Sequence, residues 1–327
     1  MSSPEDDLIA RYFQPLATDP AAFGLIDDAA ILKSSTDDLV VTTDAIVEGV
    51  HFLPEDPPET IARKALRVNL SDLAAKGAEP TGFVLTLALR DVNHGWLSGF
   101  AKGLGEDAAS FACPLLGGDT VSTPGPPMIS ITAFGRVAAG RMVRRSGAQA
   151  GDAVVVTGTI GDAALGLALS KPGSFASSPT ANASARRMLV ERYRVPQPRV
   201  AVAPAVRDYA HAAMDVSDGL AGDLAKLCKA SGLSAEIKLE QIPLSPQARS
   251  LITAKATTID ALISGGDDYE ILCAIPENHL AAFVSAAGAR NVAATVIGVI
   301  RDGLEPPRFV ASDGRELRLK RGSFSHF

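Results

Sequence analysis

Along the chain, apolar residues change repeatedly between helical and extended spacing. Leu8, Ile9, Tyr12, Phe13 and Leu16 recur at helical spacing, with Ser3 placed as cap, Pro4 in the first turn and Asp6 as capping-box acid. Residues 39–43 read as a strand. A helix is predicted from Pro57 and Pro58 to about Lys76, closed by Gly77. Residues 83–89 read as a strand, 96–111 as a helix, and 114–116 and 129–134 as two further strands. Such alternation predicts an α/β or α+β sheet domain.

A polar, glycine-containing break covers residues 144–152, and a new strand at 153–158 leads into an Ala/Leu-rich helix from Asp162. The expected boundary lies near 150, giving one domain over 1–150 and a second over 151–327. That agrees with the prior of about 150 residues per domain. Residues 171–184 are Ser/Ala/Pro-rich and read as a surface loop, and 195–199 as extended, because proline disfavours helix at the residue before it. Helix and strand then alternate to the end, without a solenoid-type repeat.

Charge narrows the function. Lys and Arg total 31 against 37 Asp and Glu, a formal net charge of −6, opposite to the balance a general nucleic-acid binder needs. Cys113, Cys228 and Cys273 are odd in number, far apart and set among apolar neighbours. They are expected to be reduced, buried thiols rather than a disulfide frame or zinc site. No apolar run is long enough to span a membrane, and the acidic residues 1–7 do not resemble a basic signal-peptide start. The expected setting is the cytoplasm.

Candidate chemistry lies in the placement of acids. Asp27 and Asp28 precede Ala-Ala-Ile-Leu, Thr42-Thr43-Asp44 ends a strand, and Asp72 sits inside a mostly apolar helix. Asp119 follows Leu115-Leu116-Gly117-Gly118. Asp215-Val216-Ser217-Asp218-Gly219 follows an apolar stretch, and Gly265-Gly266-Asp267-Asp268-Tyr269-Glu270 precedes another. Isolated carboxylates are costly in such places. With the hydroxyls of Thr42, Thr43 and Ser217 interleaved, they suit oxygen-donor sites for a hard cation such as Mg²⁺. Each cluster alone could be turn chemistry. Together they favour a metal, and Asp72 discriminates best because Asp is a poor mid-helix residue.

Other chemistries lack their motifs. The chain has no G-x-x-x-x-G-K-[ST] loop, no G-x-S-x-G elbow and no H-E-x-x-H. Residues 103–108 match G-x-G-x-x-[GA] only inside a helical pattern, the wrong context for a dinucleotide site. His51 follows an acid-rich strand end and is placed to touch a ligand. The pattern suggests phosphoryl transfer between two polyanions, which requires metal ions to invert the field of a carboxylate-lined site. Positioning and charge neutralisation then replace covalent catalysis.

The segments at 43–52, 68–75, 117–120, 145–148, 215–220 and 265–270 resemble, in order, those of the thiamine-monophosphate kinase family. That family is one branch of a group with aminoimidazole-ribonucleotide synthetases, selenophosphate synthetases and hydrogenase maturation proteins. The resemblance runs over nearly the whole chain. It implies an N-terminal mixed-sheet domain pairing across a homodimer, a C-terminal α+β sandwich domain, and ATP-dependent conversion of thiamine monophosphate to the diphosphate by direct transfer. Implied Mg²⁺ ligands are Asp28, Thr42, Thr43, Asp44, Asp72, Asp119, Asp215 and Asp218, with Asp27 as a further one. ATP contacts are implied at Gly118, Asp119, Arg145 and Ser217, and substrate contacts at His51, Asp267 and Phe324. Asp72, Asp119, Arg145 and Asp218 take the catalytic roles, Arg145 as a clamp whose fork suits phosphate oxygens.

Two positions depart from the family pattern. Ile26 precedes Asp27-Asp28 where the family often has glycine, and Asp267 stands where glutamate is usual, one methylene shorter. Selenophosphate synthesis would call for a reactive cysteine near the start, yet none precedes Cys113; hydrogenase maturation relatives end in cysteine, whereas this sequence ends in Phe327. A non-catalytic nucleotide sensor would have shed metal ligands.

Overall fold

Strand β1 (Asp38–Val47) buries Val40 and Ile46 and leaves the intervening residues half-buried or exposed, the period-two pattern of a sheet with one covered face. The structure, a computed structural model, describes residues 7–25, 32, 35–171 and 183–319. Among these, the chain divides into two compact units, one of residues up to Leu73 with Ala78–Gly140, the other of Ala74–Gly77 with the chain from Arg141 onward.

In the first unit β1 is followed by α1 (Pro58–Ala75), β2 (Glu79–Leu89), α2 (His94–Ser110), β3 (Leu115–Ser122) and β4 (Met128–Val137). The sheet runs β1-β4-β2-β3, with β2 and β3 parallel and the other neighbours antiparallel. Phe83, Leu85, Leu87, Ile129 and Ile131 fill its covered face. Helix α1 lies against that face, since a Cβ at Gly135 would come within 3.0 Å of the Leu73 side chain. The opposite face is open and shows Leu39, Val41 and Val121, the first two 48% and 55% exposed.

Three expectations change here. Strand β2 begins at Glu79, through a bulge at Pro80–Gly82 that accommodates a residue with no N–H to donate. Strand β3 continues through Gly117, Gly118 and Asp119, so these residues lie within the strand and not after it. At the start, Ile9–Phe13 wind as a π-helical turn before a short 3₁₀ turn at Gln14–Leu16, while Leu8, Tyr12 and Phe13 are buried as the stripe requires. Ser3, Pro4 and Asp6 lie outside the described residues.

The second unit contains β5 (Ala153–Thr157), α3 (Asp162–Ser170), α4 (Ala183–Arg194), α5 (Ala203–Tyr209), β6 (Ala212–Asp215), α6 (Leu220–Ser231) and β7 (Ser234–Lys238). It ends with α7 (Pro246–Thr253), α8 (Ile259–Ile263), β8 (Ile271–Ile275), α9 (Glu277–Gly288), β9 (Ala294–Arg301) and β10 (Arg308–Val310). The sheet order is β10-β7-β9-β5-β8-β6, and only β10 and β7 pair in parallel. Central β8 is buried at every position because both faces are covered. Val154, Val156 and Met214 pack with Leu220, Leu224 and Leu227 of α6; Val155, Ala213 and Cys273 pack with Val206 of α5 and Phe283 of α9.

Residues 141–150 pack with this unit: Val143 joins its core, and the Ala213 N–H donates to the Arg144 carbonyl at 2.9 Å. Of the expected loop at 171–184, residues 183 and 184 begin α4, and 172–182 lie outside the described residues. All three cysteines are free and buried, and burial pushes each thiol up to about 12, which keeps them protonated. No described helix is long and apolar enough to cross a membrane.

Candidate active site

The acids of the first unit are divided by its sheet. Thr42 and Asp44 alternate with Thr43 along β1, so they take the covered side with Ile46, while Thr43 takes the open side. Asp72 approaches from α1 on the covered side and accepts the Thr42 hydroxyl at 2.5 Å. The register sets Asp119 in one row with Thr86, Ser130 and Ala45 on the open side. Thr43 accepts from Thr132 Oγ1 at 3.0 Å and donates to the Ile131 carbonyl at 3.2 Å. The structure thus joins Thr42 to Asp72 and sets Thr43 and Asp119 on the other face. Asp44 and Asp119 are exposed and not buried as expected, so neither bears a large desolvation cost. Asp27 and Asp28 lie outside the described residues.

Among the described residues, no three carboxylate, imidazole or thiolate groups converge on one point where an ion could be held. The oxygen donors that are present, the Thr42–Asp72 pair among them, are of the hard type that Mg²⁺ takes, with one or two carboxylates beside water and phosphate oxygens. His51 closes the loop after β1. Its Nδ1 accepts the Val47 N–H at 3.0 Å, its own N–H donates to the Val47 carbonyl at 2.9 Å, and buried Lys64 donates to its carbonyl at 2.8 Å. With Nδ1 accepting, the neutral ring carries its proton on Nε2.

In the second unit two loops are laced together by their backbones. Asp215 ends β6, and the chain turns through Val216, Ser217, Asp218 and Gly219 into α6. The N–H groups of Asp267 and Tyr269 donate to the carbonyls of Ser217 and Val216 at 2.9 and 2.8 Å, and the Val216 N–H returns to the Glu270 carbonyl at 2.8 Å. A Cβ at Gly266 would lie 2.4 Å from the Ser217 carbonyl oxygen, so the loops touch closely where glycine permits it. Arg145 follows the residue that pairs with Ala213 of β6; its exposed guanidinium has no ion-pair partner among the described residues. Phe324 lies outside the described residues.

Several acids also have cationic or backbone partners that sequence proximity did not suggest. Lys226 bonds both Asp218 and Asp223, the latter at 2.8 Å, and these two carboxylates overcome burial to hold its ammonium above the ordinary lysine range. Asp218 is therefore a carboxylate with an ammonium already beside it. Asp268, 1% exposed, accepts the N–H groups of Gly161 and Ala163 at the start of α3, and burial pushes its carboxyl well up. Glu270 is fully buried between Arg192 and Arg199. Burial acts against the Arg199 charge, but the hydrogen bonds and charge of Glu270 prevail and hold its guanidinium above the usual value. Lys226 lies on the face of α6 nearest the loop, a helical spacing from Asp223 that the sequence does display; the arginines carry no such local signal.

Comparison with known proteins identifies the family. The family model for AIR synthase related protein matches in both parts, the N-terminal domain over residues 26–137 and the C-terminal domain over 149–306. The thiamine-monophosphate kinase of Caulobacter vibrioides is 46% identical over 312 residues, which cover 91% of this chain and 84% of that protein. The crystal structure of thiamine-monophosphate kinase from Stenotrophomonas maltophilia K279a matches with a TM-score of 0.83 and 37% identity, over 97% of this chain and 99% of that one. The structure of AaThiL complexed with AMPPCP and TMP matches with a TM-score of 0.77 and 30% identity, over 93% and 96% of the two chains. The chain belongs to the AIR synthase related family, among its thiamine-monophosphate kinases.

Proposed function

We propose that this protein transfers the γ-phosphoryl group of ATP directly to thiamine monophosphate, giving thiamine diphosphate. The observation that carries this reading is full-length likeness to thiamine-monophosphate kinases, including one solved with both AMPPCP and TMP. The carboxylates support the same chemistry. Asp44, Asp72, Asp119, Asp215 and Asp218 are the described acids that would hold magnesium, with Asp27 and Asp28 completing the proposed set. Bound magnesium supplies Lewis-acid neutralisation of phosphate charge. Arg145, exposed and without an ion-pair partner among the described residues, would present a planar fork to the phosphoryl oxygens. Asp267 and His51 position the substrate, with Phe324 against the thiamine, and Gly118 and Ser217 border the nucleotide. Nothing in this division of labour needs a covalent nucleophile.

The test is conversion of thiamine monophosphate to the diphosphate by purified protein with Mg²⁺ and ATP. Folded, ATP-binding protein that yields no product overturns the reading. Exhaustive chelation is expected to abolish turnover and added Mg²⁺ to restore it; full activity without divalent metal would remove the acids from this role.

The open sheet face is proposed to pair with a second copy. Exposed Leu39, Val41 and Val121 give its two edge strands apolar ground beside polar Thr43 and Asp119, and apolar surface of this kind suits an interaction site. Light scattering at micromolar concentration is expected to give twice the 33.9 kDa chain mass, and a monomer alone would count against it. A cytoplasmic setting is consistent with this use of ATP and with buried, reduced thiols.

A further inference from the structure

We infer that Glu270 is a positioning residue: clamped by Arg192, Arg199 and Thr157, it sets the loop that carries Asp267 and thereby the affinity for thiamine monophosphate. This rests on the reading of Asp267 as a substrate contact. The Glu270 carboxylate is fully buried and saturated with donors. Thr157 Oγ1 and Arg192 Nη2 each donate at 2.8 Å, Arg199 Nε at 2.6 Å, and Arg199 Nη2 closes the fork. Thr157 Oγ1 also accepts the Ile271 N–H at 2.8 Å, which ties the start of β8 to the same cluster. There is no slack around it. A Cβ on Gly158 would lie 2.1 Å from Glu270 Oε1 and 2.6 Å from Arg199 Nη2.

The segment this cluster holds is strained. Asp267 and Tyr269 have φ of +72° and +51°, the left-handed region that non-glycine residues enter at a cost and keep only when their surroundings over-determine them. Two anchors do so. On one side of Tyr269 the Asp268 carboxylate is fixed by the Gly161 and Ala163 N–H groups; on the other, Glu270 is fixed by its arginines. Arg192 Nη2 joins the two, reaching Glu270 Oε1 and the Asp268 carbonyl. Stability alone is a poor reason for such a cluster, because buried ion pairs can be replaced by well-packed apolar groups at little or no loss. A defined geometry at Asp267 accounts for it.

The experiment is steady-state kinetics with thiamine monophosphate varied at saturating Mg²⁺ and ATP. In Glu270→Gln, kcat/KM for thiamine monophosphate is expected to fall about 10²-fold, the cost of misplacing a contact by about 1 Å, and to fall mainly through KM. A merely destabilised enzyme loses active molecules and hence kcat per total protein, while each survivor keeps its KM. Should Glu270→Gln fail to fold, Arg199→Lys keeps the charge, loses the fork and is expected to raise the same KM by a smaller factor. An unmoved KM in the folded variant overturns the proposal. Asp267→Asn in the same assay separates the two failures. A raised KM there beside an unmoved one at Glu270 removes the positioning role alone; unmoved values in both remove the Asp267 contact as well.

Discussion

Asp72→Asn is expected to lower kcat by about 10²–10³-fold, the usual loss when one preorganised electrostatic element is removed from a phosphoryl-transfer site. Its melting temperature without metal should be no lower than that of the parent. The structure supplies the reason for the second half. Asp72 accepts the Thr42 hydroxyl at 2.5 Å, and an asparagine Oδ1 in the same place still accepts it, as a weaker neutral bond whose loss is offset by removing a charge from an acid-rich site. A purely structural role would have rested on Lys76, one helical turn on, and such a pair contributes only about 0.3–0.5 kcal/mol. Lys76 instead donates to the Ala213 carbonyl at 2.8 Å. Comparing kcat at saturating Mg²⁺ with a melting curve in chelator separates the two roles. Activity within a few-fold of the parent would leave Asp72 as a helix residue bonded to a threonine.

What the apolar pattern revealed depended on how local its cause was. The alternation at Ile129, Ile131 and Ala133 and the unbroken run at Ile271–Ile275 mark strands covered on one face and on both, and each is buried accordingly. Gly117-Gly118-Asp119 resisted the same reading. Glycine and aspartate are weak strand formers, and only close approach of β2 explains why the strand continues through them. The split of the candidate ligands was legible in principle. Consecutive residues of a strand point to opposite faces, so Thr42 and Thr43, taken together as one donor group, were bound to separate once β1 formed.

Partners of the acids were hidden for a different reason. Lys226 is 8 residues from Asp218, and Arg199 and Arg192 are 71 and 78 residues from Glu270. Only the folded chain brings them together. Carboxylates in apolar surroundings were a sound signal that compensation existed. For Glu270 it comes from arginines and for Asp268 from backbone N–H groups, whereas Asp119 stands exposed on its strand.

Gly117→Ala and Gly118→Ala are expected to part company sharply, though the residues are adjacent on one strand. A Cβ at Gly117 meets only Val84 Cγ1, at 3.9 Å, which is ordinary contact. Alanine there should be neutral or stabilise by about 0.5–1 kcal/mol through the lost freedom of the unfolded chain. A Cβ at Gly118 would lie 2.1 Å from the Leu85 carbonyl oxygen and 3.0 Å from its carbon. Those atoms are backbone, already paired in the β2–β3 ladder, and cannot rotate away as a side chain would. Overpacking usually costs about 1–3 kcal/mol, and because the clash is with ladder backbone this case falls toward the upper end, even on an edge strand. Denaturant midpoints of the two variants test the contrast, and equal stabilities would refute it. The result also bears on the nucleotide. Gly118 is proposed to border ATP, but its close approach to β2 requires glycine whether or not ATP is present. Lost activity in Gly118→Ala therefore speaks for a nucleotide contact only if the variant is folded at the assay temperature, whereas Gly117→Ala, with the strand intact, reads the neighbouring surface directly.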